Sequence, residues 1–219
     1  MRSIEKILEE SGAVLTGGHF VYTSGFHGDA YVNKDAVYRD TFFMKEIGEL
    51  IAARCPHPDV VLGPAVGGAL LAQWVAYAFS REDMMSRHIV PAVYADKDGD
   101  GFVVKRGYDK LIAGKKVLVV EDILNTGDSV RKTIEAVRYR QGEVIGVGAI
   151  CNRGGVTRED LGVPTLYALL SINMATYDPD KCPLCRDQVP VNVDVGHGRT
   201  FVASLASIDA ERGGHPLPG

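Results

Sequence analysis

Val117-Leu118-Val119-Val120-Glu121-Asp122-Ile123-Leu124-Asn125-Thr126-Gly127-Asp128-Ser129 is the stretch whose reading decides the fold. The apolar run Val117–Val120 is short and β-branched, which suits a strand buried on both faces rather than a helix. Two acids end the run. Asn125, Thr126 and Gly127 then lead into a helical pattern from Ser129 to Arg140. In open α/β sheets, ligands bind beyond the carboxyl ends of the strands. The loop and the first helical turn offer backbone N–H groups without intrahelical partners, which suit a phosphate. Gly127 allows close backbone approach and unusual φ, and Thr126 and Ser129 add hydroxyls. Glu121 and Asp122 are poor phosphate partners but good acceptors for sugar hydroxyls, directly or through metal-bound water. The bland alternative has Asp128 capping the helix and both acids merely solvated. A lone Thr-x-x-Ser would favour it; the whole run does not.

Working outward, Val60–Val61–Leu62 is a short apolar run followed by Gly63–Pro64 and a helical pattern from Ala69 to Phe79. Ile89–Tyr94, Glu143–Ile150 and Thr165–Leu170 are further apolar runs. Short strands alternating with helices predict an α/β fold with a central, mainly parallel sheet flanked by helices. Toward the N-terminus, Ser3 suits the cap of a short helix carrying Ile4, Ile7 and Leu8, ended by Gly12. His19 to Asn33 suits two short strands around a turn at Ser24–Gly28. Asp40 suits the cap of a helix with Phe43, Ile47, Leu50 and Ile51 on one face. No internal repeat or low-complexity run is present. The stretch after Gly196 is rich in Gly, His and Pro and is expected to be poorly ordered.

A chain of 219 residues fits one domain with an embellishment. Its 46% apolar and 24% charged residues are ordinary for a globular protein. A net charge of −4 argues against a nucleic-acid partner. An anionic small molecule stays open, because local donors and a metal ion outweigh global charge. No segment approaches the ~20 apolar residues that span a bilayer, and Met1–Glu10 lacks an apolar signal core. A cytoplasmic chain without a membrane partner is expected. Cys55 and Cys151 stand alone in apolar surroundings, where free thiols are common. Cys182 and Cys185 form a spaced pair.

Segment 117–129 resembles the binding signature for 5-phosphoribosyl 1-diphosphate (PRPP) in type I phosphoribosyltransferases: apolar strand, acidic pair, two apolar residues, and a Thr-Gly-x-Ser loop. His19–Asn33 resembles the N-terminal segment of the orotate phosphoribosyltransferases. Gly63-Pro64-Ala65-Val66-Gly67-Gly68 resembles their pyrophosphate loop, and Cys151-Asn152-Arg153 falls where they carry an arginine for orotate. The resemblance implies one domain over residues 1–195, with a small hood contributed largely by residues 1–35, and a flexible tail over 196–219. PRPP would be bound by Glu121, Asp122, Ile123, Leu124, Asn125, Thr126, Gly127, Asp128 and Ser129, with the 5′-phosphate on Asn125–Ser129. Ala65, Val66, Gly67 and Gly68 would cradle pyrophosphate, with an unusual peptide geometry near Ala65–Val66. Orotate would meet Tyr31, Val32, Asn125 and Arg153. Lys97, on a mobile loop, and Asp122 would be the catalytic pair. Mg²⁺ would be held through PRPP and water, without direct protein ligands. A homodimer is implied, with the Ala92–Arg106 hairpin near the partner's site.

The departures from the family pattern are specific. Thr23 and Gly67 stand where the family often has lysine, and Asp96 stands where it usually has arginine. Lys97, Lys105 and Arg106 are the candidates to compensate. The resemblance implies transfer of the phosphoribosyl group to orotate. One rival is transfer to another base, adenine or xanthine, which lacks the carboxylate that Arg153 suits. Another is a PRPP-sensing regulator without catalysis, which the missing cations favour.

Other motifs have plainer readings. Asp96–Gly101 copies the opening of a calcium loop, but its twelfth position is Gly107 rather than Glu. A hairpin turn at Asp98–Gly99, between Ala92–Asp96 and Phe102–Lys105, is expected instead. Cys182 and Cys185 have metal-ligand spacing, but a structural zinc needs four ligands. With no second pair, and only His197 near in sequence, two reduced thiols in a turn are expected. Trp74 and Tyr77 are expected in the core. His19 and His27 have no assigned role.

Overall fold

The computed structural model describes residues 2–22, 24–82, 87–172 and 175–212; Thr23 and the terminal residues 213–219 lie outside the described residues. The first half contains α1 (Ile4–Ser11), β1 (Val14–Val21), β2 (His27–Val32), α2 (Lys34–Tyr38), α3 (Thr41–Ala52), β3 (Val60–Pro64) and α4 (Gly67–Phe79). Two short strands follow, β4 (Arg81–Glu82) and β5 (Arg87–His88), then β6 (Ala92–Asp98), β7 (Gly101–Val103), α5 (Asp109–Ile112) and β8 (Lys116–Leu124). The remainder holds α6 (Asp128–Tyr139), β9 (Glu143–Asn152), α7 (Arg158–Leu161), β10 (Leu166–Ser171), α8 (Pro183–Arg186) and α9 (Gly198–Arg212). These elements form two compact units, Met1–Ser11 with Lys34–Asn173, and Gly12–Asn33 with Met174–Gly219.

The first unit is built on a six-stranded sheet in the order β10-β9-β8-β3-β6-β7. All its pairings are parallel except β6 with β7. Val117–Val120 lie at its centre without exposed surface, as a strand covered on both faces requires. β8 runs past the apolar residues and through both acids to Leu124. Parallel pairing with β9 continues there, Glu121 opposite Ala149 and Leu124 opposite Asn152. That pairing overrides the weak strand preference of acidic residues.

Local signals place the other elements. Asp40 caps α3 by accepting from the N–H groups of Phe42 and Phe43, which satisfies donors at the helix start. The buried stripe of α4 is Gly68, Leu71, Ala72, Val75, Ala76 and Phe79. This corrects the expectation for Trp74 and Tyr77. Tyr77 is 63% exposed and Trp74 half-buried, because neither falls on the stripe. The hairpin turn also shifts. Asp98 pairs with Gly101, so the turn residues are Gly99 and Asp100, with Gly99 supplying the positive φ of 57° that such a turn needs. Among the described residues, no helix is long and apolar enough to cross a membrane.

The second unit differs from the expected N-terminal hood. The β1–β2 hairpin is antiparallel, with a register shift between Thr16 and Phe20. Residues from the C-terminal part complete it. The backbone N–H of His27 donates to Tyr177 O at 2.9 Å, Asn192 N–H to His19 O at 2.8 Å, and His197 N–H to Val21 O at 2.9 Å. An isolated two-stranded hairpin is marginal in water, which is why this unit recruits a distant segment. Residues 198–212, expected to be poorly ordered, form α9, and Phe201 packs edge-on against His27 with ring centroids 4.8 Å apart.

One glycine in the first unit gives a test of packing. A Cβ on Gly48 of α3 would lie 2.5 Å from the backbone oxygen of Trp74 in α4. Gly to Ala inside a helix ordinarily stabilises by about 1 kcal/mol. Overpacking against an immovable backbone costs about 1–3 kcal/mol. Gly48→Ala is therefore expected to lower the thermal midpoint, and a raised midpoint in differential scanning calorimetry would refute the close approach.

Candidate active site at the ends of β3 and β8

Where β8 ends, Gly127 adopts a left-handed conformation (φ 74°, ψ 4°) and starts α6 with no side-chain cap. The N–H of Asp128 donates to Thr126 Oγ1 at 3.4 Å, and the N–H groups that follow it in the first turn of α6 suit a ligand. Asp128 does not cap them. Its carboxylate turns to Lys132 at 2.8 Å and Arg131 at 3.6 Å. The hydrogen bond from Lys132 holds its pKa below the usual range. A cavity of about 120 Å³ lies over this turn, lined by Glu121, Ile123, Leu124, Asn125, Thr126, Gly127, Asp128 and Ser129.

The acidic pair is not a solvated pair. Glu121 and Asp122 are 7% and 5% exposed. One Asp122 oxygen accepts from the N–H of Ile123 at 2.7 Å and the other from Lys34 Nζ at 2.6 Å. Burial, and then the neighbouring Asp122 charge, push the Glu121 pKa well above the ordinary value, so Glu121 favours the neutral acid. Burial works against charge on Lys34, but Asp122, Glu121 and Asp35 outweigh it and leave its pKa raised. Tyr38 donates to the carbonyl of Gly67 at 2.8 Å and lies 3.4 Å from the same Asp122 oxygen. Sequence reading missed Lys34 and Tyr38, because they lie 88 and 84 residues from Asp122 in a short helix with no motif.

The junction of β3 and α4 packs three glycines, Gly63, Gly67 and Gly68, that leave no room for a side chain. A Cβ on Gly63 would strike the carbonyl of Gly68, and one on Gly68 would lie 2.6 Å from Pro64 Cδ and 2.9 Å from Val120 O. A Cβ on Gly67 would collide with Asp122 Oδ2, with Lys34 Nζ 3.3 Å away. The Asp122 carboxylate thus occupies the space of any side chain at position 67, and the ammonium of Lys34 stands beside it. The peptide between Ala65 and Val66 is cis, which is the unusual geometry expected there. Val66 is 73% exposed.

Arg153 lies beside the β8–α6 turn. Its backbone N–H and that of Gly154 both donate to the carbonyl of Leu124, at 2.9 and 3.1 Å. A Cβ on Gly154 would strike the carbonyl of Asn125. Asn152 closes the loop, with Nδ2 donating to Val156 O at 2.7 Å and Oδ1 accepting from Val156 N–H at 3.0 Å. Tyr31 and Val32 belong to the second unit. Val32 is 5% exposed and so presents little side chain. Tyr31 stacks on Phe20 and Tyr22 at 5.8 and 6.5 Å. Lys97 is exposed on β6, opposite Phe102. Lys105 pairs with Asp98 at 3.5 Å and Arg106 with Asp96 at 3.3 Å. Two of the three cations expected to compensate, Lys105 and Arg106, thus already face acids, in exposed pairs that bind weakly. Cys182 and Cys185 are not two thiols alone in a turn, because His19 and His27 lie beside them.

The raised pKa of Glu121 makes stability depend on pH. A carboxyl whose pKa is higher folded than unfolded loses its proton first in the unfolded chain. Its contribution is full below the ordinary 4.5 and is lost as pH rises toward the folded value. Glu121→Gln keeps the acceptor for the N–H of Asp122 and cannot ionise. Its melting temperature relative to the parent is expected to climb from about pH 4 to about pH 8. A difference that stays flat across that range would show Glu121 to be ionised in the fold.

The phosphoribosyl transferase domain family matches residues 34–171. The chain is 36% identical over 193 residues to an orotate phosphoribosyltransferase of Caldanaerobacter subterraneus subsp. tengcongensis, covering 85% of this chain and 94% of that one. It is 35% identical over 188 residues to one from Thermus thermophilus, covering 85% and 96%. Among solved structures, a phosphoribosyltransferase from Corynebacterium diphtheriae gives a TM-score of 0.57 at 27% identity, over 78% of this chain and 96% of that chain. The fold is shared with Mycobacterium tuberculosis orotate phosphoribosyltransferase, with a TM-score of 0.59 at 24% identity over 77% and 95%. By fold, loop chemistry and sequence together, this chain belongs to the type I phosphoribosyltransferases, alongside the orotate phosphoribosyltransferases just named.

Proposed function

We propose that this transferase moves the 5-phosphoribosyl group of PRPP to orotate, giving orotidine 5′-monophosphate and pyrophosphate for pyrimidine nucleotide synthesis. The observation that carries the reading is the fastening of Arg153 to the carbonyl of Leu124, one residue before the Asn125–Ser129 turn. It sets a guanidinium-bearing loop next to the turn that suits a sugar phosphate. The names of the relatives at 35–36% identity agree with it.

In this reading the uncapped N–H groups of α6, with Thr126 and Ser129, hold the 5′-phosphate. Asp122 accepts from a ribose hydroxyl, and neutral Glu121 both accepts and donates. The Ala65–Gly68 backbone and Lys34 meet pyrophosphate. Orotate nitrogen attacks the anomeric carbon as the C–O bond to pyrophosphate breaks, through an oxocarbenium-like transition state akin to that of glycoside chemistry. The protein supplies positioning and charge. Mg²⁺ fits this donor set only at one remove. Both Asp122 oxygens are engaged and burial disfavours charge on Glu121, whereas a direct site needs several free oxygens. The ion would then be held by PRPP oxygens and water, and when bound would offset charge on the leaving group.

Orotate differs from uracil by a carboxylate beside the reacting nitrogen, and a guanidinium grips a carboxylate with two parallel hydrogen bonds. Each is worth about 1.5–3 kcal/mol. Arg153→Ala is expected to lower kcat/KM for orotate by roughly two orders of magnitude or more, with Arg153→Lys recovering part and PRPP affinity nearly unchanged. Intact orotate use with collapsed PRPP binding would move Arg153 to the PRPP site and remove the support for orotate. The same reading includes a homodimer in which Lys97 acts at the partner's site. Mixing Lys97→Ala with Asp122→Asn chains should then restore activity in verified heterodimers, and no recovery would mean that Lys97 acts within its own chain.

A further inference from the structure

We propose that His19, His27, Cys182 and Cys185 form a structural tetrahedral Zn²⁺ site in the second unit, independent of the phosphoribosyl chemistry. Their ligand atoms all lie within 4.8 Å of one another. His19 Nε2 is 2.9 Å from His27 Nδ1, 3.8 Å from Cys182 Sγ and 3.7 Å from Cys185 Sγ, and His27 Nδ1 is 3.3 Å from Cys185 Sγ. Zinc bonds of about 2.0–2.1 Å to nitrogen and about 2.3 Å to sulfur put tetrahedral ligands roughly 3.3–3.8 Å apart. Three of the four distances fall in that range. Of these four, the N···N contact is the one that must open, by a few tenths of an ångström.

The surroundings fit a ligand shell. His19 Nδ1 lies 2.9 Å from the carbonyl of Val189. As a donor there, it fixes the tautomer that leaves Nε2 free to ligate, the usual arrangement for metal-bound histidine. His19, His27 and Cys182 are 1%, 0% and 3% exposed, while Cys185 is exposed and gives a route of entry. Without a metal, the arrangement is poorly satisfied. Nδ1 of His27, the nitrogen that faces the cluster, meets only another imidazole and a thiol. Two thiolates and two neutral imidazoles around Zn²⁺ leave no net charge to bury, and this donor set matches zinc rather than the oxygen-seeking Mg²⁺ or Ca²⁺.

The four ligands come from β1, β2 and the start of α8, so the ion pins the C-terminal part of the unit to the hairpin. Units below ~70–80 residues commonly need such a staple. Metal binding is then part of folding.

The full chain, purified without chelator, is expected to hold about one zinc per chain by plasma mass spectrometry, released when the thiols are blocked with a mercurial. Cobalt in its place should give the visible absorption bands of a tetrahedral thiolate site. Cys185→Ser changes one exposed sulfur to oxygen and should weaken zinc binding more than about tenfold, lower the melting temperature and reduce the thiolate-to-cobalt band to that of the single remaining thiolate, Cys182. Cobalt spectra of the parent chain keep the test open if the variant fails to fold. Absence of stoichiometric zinc after incubation with Zn²⁺, or an octahedral cobalt spectrum, would overturn the site. So would zinc affinity unchanged in a folded Cys185→Ser chain.

Discussion

The contact on which the first unit's site depends is the 2.6 Å ion pair between Lys34 and Asp122. Asp122 sits on a central strand with little access to water, where an unpaired charge is costly. Lys34 meets that need from α2, and Tyr38 on the same helix adds a bond to the carbonyl of Gly67. One helical turn thus ties the acid of β8 to the loop after β3. The tie works only because position 67 carries no side chain, since any Cβ there would occupy the space of the carboxylate oxygen. Charge, hydroxyl and glycine form one arrangement, and each limits what the others can be.

That arrangement separates what was legible in the sequence from what was not. The β8–α6 turn was legible because its causes are local: a β-branched run, a glycine where φ is positive, and a helix pattern that follows at once. The α3 cap at Asp40 and the loop Gly63–Gly68 were legible for the same reason. Lys34 was not, because its partner is remote in sequence and nothing in Asn33-Lys34-Asp35 marks it. The raised pKa of Glu121 was equally hidden, since it follows from burial and from Asp122 rather than from residue type. Tyr77 misled because an aromatic at i, i+3 suggests a core face until the buried stripe of α4 is known. Residues 198–212 misled because the Gly, His and Pro that mark the stretch after Gly196 all lie outside 199–212.

The second unit shows the other limit. Its hairpin and its C-terminal segment are separated by the whole of the first unit, so their union was not written in any local pattern. His19 and His27 looked idle and the thiol pair looked incomplete when each was read alone. Brought together, each supplies what the other lacked: four donors, a fixed tautomer and an exposed edge. Reduced thiols in a turn, and two histidines without a role, were the separate readings of what the fold makes a single cluster.

The shared carbonyl of Leu124 carries a consequence for motion. It receives the amides of both Arg153 and Gly154, so neither amide can exchange with solvent deuterium unless that junction opens. Opening the junction also frees the stretch that leads into the phosphate turn. The protection of these two amides therefore serves as an internal gauge of how often the turn comes apart before any ligand arrives. A sugar phosphate that rigidifies the turn would slow exchange at Arg153 and Gly154, residues whose backbone it does not have to touch.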